Sequence, residues 1–378
     1  MQKFFYYDRI IILFICLTLY LKMLTLEKPT HAHFNSNIMR ASIYIFIVLL
    51  FMSGCAMGQN DEDRSTLPAR VEKLFESINI PQIFKKKPVT SEDIVLTKDL
   101  LFDKYTLEDE YMYNKTPRSI KWEIIKKCLA YIENMEPESN LWCVIQNYRN
   151  NNGEAPLVKK YHWSAYKRVA DTLGVERYQS VPLYAVTDTV TPERYGRDGT
   201  LGSVLGEVGS FYHVRPATFD EEWYVPRKYV KLLDSSTSFH HVIFVDRGDQ
   251  NITTLERVSR AEWKVRSVNP CTTGLHRPPY AQETPLGMYL LQEKKVKMFF
   301  LKDGSSAMGG YAPYASRFTN GAYIHGVPVN LPATKMIEYS WTLGTTPRSH
   351  MCVLNATSHS KFVYDWAPVL RSLVVVIE

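Results

Sequence analysis

The sequence predicts a multidomain α+β protein, with an α-rich region in its first half and β-rich structure after about residue 180. Apolar residues recur at intervals of three and four from Ile120 to Ile132, which is typical of an amphipathic helix. Short apolar runs separated by Gly-rich turns follow from Val181 onwards, which indicates strands. With 378 residues, the chain is long enough for two or three domains.

Composition and charge exclude several classes of function. The chain is 45% hydrophobic and 22% charged, as folded proteins usually are. Its net charge of +6 is too small to indicate a nucleic-acid partner, and the basic run Lys85-Lys86-Lys87 is interpreted as a solvated loop. No Cys-x-x-Cys pair, His-Glu-x-x-His motif or phosphate-binding glycine loop is present. We therefore expect no metal, cofactor or nucleic acid.

Residues 1–58 are interpreted as a targeting segment and tether. Two apolar runs, Ile10–Leu21 and Ala41–Met52, are each too short to span a bilayer comfortably. The second run follows Arg40 and ends in Met52-Ser53-Gly54-Cys55, the order of a secretory signal. Small residues before a cysteine resemble a lipoprotein cleavage box, which implies lipid on Cys55 and a membrane-anchored protein of the cell envelope that faces the periplasm. Because Met39 begins this signal, the first 38 residues are interpreted as an upstream extension; a plain membrane anchor is the alternative.

Residues 59–178 are predicted to form the α-rich accessory domain. One helix begins near Ser119 and stops before Pro137. A second helix is expected over 163–173, closed by Gly174 as a C-cap. Export would permit a disulfide, and Cys128 with Cys143 is the only pair considered.

Residues 179–236 are predicted to form a separate small β domain. Its strands are expected over 182–186, 201–208 and 211–214. The segment closes with Glu222-Trp223-Tyr224-Val225-Pro226 and Tyr229-Val230. This ending resembles bacterial SH3-like domains, which implies a small β-barrel that either holds peptide stems or orients a neighbouring domain.

Residues 237–378 are predicted to form a β-rich domain that carries the chemistry. Strand-like runs are expected at 242–245, 252–258, 263–268, 287–291, 297–301 and 373–377. A further short run, Ala322–Ile324, would deliver His325 at its end. Cys352 follows Ser349-His350 and precedes a predicted helix that contains Phe362 and Trp366. A cysteine with a histidine elsewhere in the fold is the minimal equipment of a thiol nucleophile with its base.

These residues resemble the L,D-transpeptidase catalytic domain of bacterial cell-wall enzymes. The resemblance extends to Thr284-Pro285-Leu286-Gly287, and to Val242–Asp246 with Gln250-Asn251. It implies a β-sandwich-like fold and peptidoglycan stem peptides as substrates. A donor stem would form a thioester on the cysteine and then be transferred to an amine.

The resemblance also implies a role for each candidate residue. Cys352 would be the nucleophile and His325 its base. Ser349, His350, Met351 and Gly326 would form the substrate and oxyanion loop, with backbone amides around His350 to Cys352 as donors. Cys271 falls where the family's strand runs toward the site, and is interpreted either as a packed thiol or as part of the cleft.

The sequence departs from the family pattern at three points, which leaves alternatives open. Met351 stands where Gly is usual, Leu354 stands where Arg or Asn is common, and the gap between His325 and Ser349 is longer than usual. The alternatives are an L,D-carboxypeptidase with water as acceptor, a cysteine endopeptidase using His359, and a non-catalytic wall-binding lipoprotein.

Overall fold

The computed structural model describes residues 87–138, 141–218 and 221–378. The predicted lipid site Cys55, the upstream extension and the tether therefore lie outside the described residues. Within the described ranges, no helix is long and apolar enough to cross a membrane. In chain order, the described residues form β1 (Val95–Lys98), β2 (Glu110–Tyr113), β3 (Thr116–Ser119), α1 (Trp122–Glu138), β4 (Trp142–Ile145), β5 (Tyr161–Trp163), β6 (Val169–Asp171), β7 (Ser180–Ala185), β8 (Arg194–Arg197), β9 (Leu201–Val208), β10 (Phe211–Pro216), β11 (Trp223–Pro226), β12 (Val230–Leu232), β13 (His241–Asp246), β14 (Asn251–Ser259), β15 (Glu262–Pro270), β16 (Gly287–Leu290), β17 (Glu293–Leu301), β18 (Met308–Thr319), β19 (Ala322–His325), β20 (Val329–Asn330), β21 (Val353–Leu354), α2 (Thr357–Trp366) and β22 (Ser372–Ile377).

Two sheets pack face to face in the C-terminal part. One has the order β1-β15-β14-β13-β22-β16, and the other has the order β17-β18-β19-β21 with β20 paired to β18. In β13, Ile243 and Val245 point into the core between the sheets, whereas Val242 and Phe244 point to the outer face. All of β22 is buried, because the six-stranded sheet is covered on both faces. The predicted strands and the predicted sandwich are therefore confirmed.

Helix α1 covers the outer face of the six-stranded sheet. Its residues Ile125, Leu129 and Ile132 share one core with sheet residues of β13, β14, β15 and β22. Buried Glu133 accepts hydrogen bonds from Arg257 Nε at 2.8 Å and from Trp263 Nε1 at 3.1 Å. Strand β1 adds in parallel to the edge of β15. The helix predicted from Ser119 is confirmed, but its predicted end is wrong, since α1 runs through Pro137 to Glu138. The helix completes the C-terminal sandwich.

The second predicted helix, over 163–173, is wrong. This segment is an antiparallel hairpin in which β5 and β6 pair Trp163 with Val169. Lys167, in its turn, has φ 55. Trp163 and Leu173 are 68% and 63% exposed, so the apolar residues at helical spacing do not bury a common face. The described part of 59–178 therefore contains α1 and several short strands rather than an α-rich domain.

A third sheet has the order β12-β4-β9-β10-β11-β7-β8. Its core includes Val181, Val214, Val225 and Tyr229, the last of these in a 3₁₀ turn before β12. Strand β4 comes from before residue 179, so the sheet draws on both sides of the predicted boundary at 178. The SH3-like resemblance stays a prediction. This sheet adjoins the sandwich, where Leu290 N donates to Gly199 O at 2.8 Å.

The predicted disulfide is also wrong. Cys128 and Cys143 are both free thiols. Cys128 lies on α1 and packs against the core beneath that helix, whereas Cys143 lies on β4 in the core of the seven-stranded sheet. The two cysteines occupy separate cores, which is why they do not meet.

Candidate active site

Cys352 and His325 lie at neighbouring points of the five-stranded sheet. His325 is the last residue of β19, and β21 begins directly after Cys352. These two strands pair in parallel, with His325 opposite Leu354. Both residues line a cleft of about 880 Å³, together with Ser349 and His350. The fold therefore brings the nucleophile and base predicted from the sequence to one cleft.

Cys352 is held as a neutral thiol. Its side chain packs against Ala315 and Tyr323, and its Sγ–H donates to Gly321 O at 3.6 Å. Burial raises the pKa of the Cys352 thiol to about 11, and the backbone N–H of Tyr323 opposes this only in part. At neutral pH the sulfur therefore carries its proton, and a base has to remove it for attack.

His325 is buried and neutral. Burial lowers the pKa of its imidazole to about 4, and the hydrogen bond to Gly326 opposes the shift. Nδ1 lies 2.7 Å from Gly326 O, a carbonyl that only accepts, so the proton of the neutral ring is on Nδ1. This leaves the Nε2 lone pair free to accept a proton. The histidine thus has the charge state and tautomer of a general base.

The loop before Cys352 is fixed by side-chain hydroxyls. Ser349 Oγ donates to Cys352 O at 2.5 Å. Thr284 Oγ1 donates to Met351 O at 2.8 Å and accepts from Gly274 N at 2.9 Å. Thr284 belongs to the Thr-Pro-x-Gly stretch, so this motif supports the nucleophile loop from behind.

Met351 occupies a backbone conformation that favours glycine. Its φ is 141, in a region that residues with a side chain rarely adopt. The chain therefore keeps a glycine-like backbone at the position where the family usually has Gly, although the residue is methionine. The side chain is half-buried against the core between the sheets.

The segment that follows Cys271 runs beside this loop, as the resemblance implied. Thr272 and Leu354 exchange backbone hydrogen bonds at 2.9 and 2.8 Å, and Leu275 N donates to Ser349 O at 3.0 Å. A Cβ on Gly274 would lie 2.2 Å from Gln282 O and 2.8 Å from Met351 Cα, so only glycine fits between these strands. In the sequence, the glycine of Thr272-Thr273-Gly274 is the feature that indicates this close approach.

His350 lies at the rim of the cleft. Its Nε2 is 2.8 Å from Asp303 Oδ1 in the hairpin between β17 and β18, and its side chain is largely exposed. Gly326 lies away from that rim, with its N–H donating to Pro313 O at 2.9 Å. Among the predicted loop residues, Gly326 therefore acts on His325, and Ser349 and His350 line the cleft with Cys352, whereas Met351 does not line it.

Two other candidates are buried in the core. Cys271 is fully buried between the sheets and is absent from the cleft lining, which leaves the packed-thiol interpretation. His359 is fully buried on α2, where its Nε2 lies 2.9 Å from Ser267 Oγ. Burial lowers its pKa to about 3. Its position excludes it as the partner of Cys352 in the described fold.

A buried polar network braces the floor of the cleft. Arg317 Nη1 is 2.6 Å from Asp198 Oδ2, and its Nε is 3.3 Å from Glu293 Oε2. Tyr323 OH donates to the same Glu293 oxygen at 3.3 Å. Because Tyr323 contacts Cys352, the network connects the nucleophile to Asp198 in the turn before β9. No local sequence pattern predicts this network, because most of its residues are far apart in the sequence.

Residues 240–377 match the family model of YkuD, the L,D-transpeptidase catalytic domain. This segment is a YkuD domain. It spans the sandwich from β13 to β22 and contains Cys352 and His325, whereas β1 and α1 lie before it. The match supports an L,D-transpeptidase-type enzyme that acts on peptidoglycan peptides.

Solved structures similar to this chain include several L,D-transpeptidases. One from Mycobacterium tuberculosis H37Rv is 24% identical, over 42% of this chain and 72% of its own, with a TM-score of 0.29. L,D-transpeptidase 3 of Mycobacterium tuberculosis, in complex with a faropenem-derived adduct, is 22% identical, over 47% and 79%, with a TM-score of 0.29. One from Mycobacterium smegmatis is 15% identical, over 42% and 73%, with a TM-score of 0.30. No match to this chain is found among the curated proteins.

Proposed function

We propose that the YkuD domain is a peptidoglycan L,D-transpeptidase with Cys352 as nucleophile and His325 as general base. The observation that carries this proposal is the bond from His325 Nδ1 to Gly326 O, in the cleft that holds Cys352. It leaves Nε2 unprotonated. A neutral base in the same cleft as a neutral thiol is suited to move the proton while the sulfur attacks.

The reaction proceeds in two balanced steps. Sγ attacks the carbonyl carbon of the donor stem, and His325 takes the thiol proton. Backbone N–H groups around His350 to Cys352 donate to the oxyanion. The tetrahedral intermediate then expels the leaving amine, which takes the proton from His325, and a thioester remains on Cys352. In the second step an acceptor amine attacks the thioester carbonyl and forms the new amide, and the proton that the amine loses returns through His325 to the leaving Cys352 sulfur. Water in place of the amine would release a carboxylate, as in an L,D-carboxypeptidase.

Mass spectrometry of the protein with a disaccharide tetrapeptide and with a carbapenem tests the proposal. Wild type should gain each acyl adduct, Cys352→Ala should gain none, and Cys128→Ala should behave as wild type because that thiol lies on α1. His325→Ala should slow acylation by about 10²–10⁴. An unmodified Cys352 with both reagents, in folded protein, would favour a non-catalytic wall-binding protein.

We also propose that the protein is a lipoprotein anchored through Cys55, on the strength of the Ser53-Gly54-Cys55 sequence after an apolar run. Intact mass of the membrane fraction should show a chain that begins at Cys55 and carries acyl groups. Unchanged membrane attachment of Cys55→Ala would exclude this anchor.

The seven-stranded sheet is proposed to be an SH3-like module that orients the catalytic cleft. A fragment of 179–236 lacks β4, which pairs with both β9 and β12. We therefore expect a fragment of 141–236 to fold as an all-β module, and 179–236 to fold poorly. Equal circular dichroism and thermal unfolding of the two fragments would contradict this.

A further inference from the structure

One wall of the catalytic cleft comes from outside the YkuD domain. Tyr148 and Arg149, in the turn after β4, line the cleft together with Tyr178 and Gln179, which precede β7. All of them lie before residue 240, where the YkuD match begins. Substrate that reaches Cys352 would therefore contact the seven-stranded module.

Tyr148 ties this wall to the floor of the cleft. Its hydroxyl lies 3.5 Å from the hydroxyl of Tyr323, which packs against Cys352. The guanidinium of Arg317 stacks 4.2 Å above the Tyr148 ring. Two separate contacts thus fix where the turn stands relative to the nucleophile.

Arg149 is held in a strained conformation at this wall. Its φ is 54 and that of Gln179 is 61, a region that disfavours residues with a Cβ. Two hydrogen bonds lock the pair: Arg149 N donates to Gln179 Oε1 at 2.9 Å, and Gln179 N donates to Asn150 Oδ1 at 2.8 Å. Strain that is retained at a cleft points to a functional constraint on the residue that carries it.

The cleft has unpaired positive charge. Arg149, Lys297 and Arg348 line it, and among the described residues none of them has a carboxylate partner. They lie instead over the rings of Tyr148, Tyr311 and Trp341, at 5.1, 4.7 and 4.7 Å respectively. Asp303, the carboxylate of the lining, is already bonded to His350 and faces Arg277 at 3.4 Å. Such a cleft favours an anionic ligand.

We propose that Arg149 is a specificity-determining residue that binds a carboxylate of the donor peptide. A guanidinium presents a planar fork that matches a carboxylate in two hydrogen bonds, and Arg149 is exposed and free to do so. The inference rests on the proposed function and narrows its substrate class to anionic stem peptides. It also gives the seven-stranded module a direct part in substrate choice.

Calorimetric binding tests this without turnover, in the full chain carrying Cys352→Ala. The probes are a tetrapeptide stem with free carboxylates and the same peptide with its carboxylates converted to amides. Adding Arg149→Gln should weaken binding of the free peptide about 10–100-fold, the range expected for a hydrogen bond to a charged group. The amidated peptide should bind weakly, and its affinity should be the same for the protein with Arg149 and for the Arg149→Gln variant. Arg149→Lys should restore part of the affinity.

Arg227→Gln is the matched control, because Arg227 is an exposed arginine paired with Glu207 outside the cleft. It should leave both affinities unchanged. The inference would be overturned if Arg149→Gln left the affinity for the free peptide unchanged. It would also be overturned if Arg149→Gln weakened the binding of both peptides equally, because that result indicates a structural effect. Failure of the wild type to form a thioester would instead count against the proposed function, since binding is measured separately.

Discussion

The alkylation rate of Cys352 should rise with pH without a plateau below about pH 10. Burial raises the pKa of this thiol to about 11, so at pH 7 only about 10⁻⁴ of it is thiolate. An unperturbed thiol of pKa about 8.5 would be about 3% thiolate, roughly 300-fold more. Burial also lowers the pKa of His325 to about 4. Both the Cys352 thiolate and the His325 imidazolium of a resting ion pair are therefore disfavoured.

Iodoacetamide is a suitable reagent because it is uncharged and needs no substrate contacts. The rate at Cys352, followed by mass spectrometry from pH 6 to 10, should increase about tenfold per pH unit. His325→Gln should leave that slope unchanged, and Cys352→Ala reports labelling of the other cysteines. A plateau near pH 6–7 that disappears in His325→Gln would show a preformed ion pair and refute the neutral-pair mechanism.

Two further predictions concern stability. Met351→Gly should have a higher free energy of unfolding in urea than Met351→Ala, by about 1 kcal/mol, because φ 141 suits glycine alone; a more stable alanine variant would contradict the strain. His359, whose pKa is lowered to about 3 by burial, binds protons more readily unfolded than folded. The contribution of His359 to the free energy of unfolding is therefore fully present above about pH 6.5. It falls as the pH drops toward 3, by about 2 kcal/mol between pH 7 and 5. His359→Gln should remove that part of the acid sensitivity, whereas His162→Gln, at an exposed site, should not.

Local patterns predicted the elements of the sandwich but not how distant segments join it. The run Leu373–Ile377 is uniformly apolar because β22 is buried on both faces, so it could be predicted as a strand. The positions of His325 and Cys352 in the fold were predictable, because a strand end and a pre-helix loop are local features. The role of Arg149 was not predictable, since it depends on a turn 203 residues before Cys352 in the chain. The hairpin near Trp163 was misread because exposed apolar side chains imitated helical spacing.

The YkuD match and the folded unit do not have the same boundaries. A protein trimmed to 237–378 would lose β1 and leave one edge of β15 open to pairing with other chains. It would also lose α1, and Arg257 would then lack both of the acidic partners, Glu133 and Glu136, that neutralise it in a mostly buried site. For production or crystallisation, a fragment should therefore keep β1 and α1, and a trimmed catalytic segment that aggregates would say nothing about whether the enzyme is active.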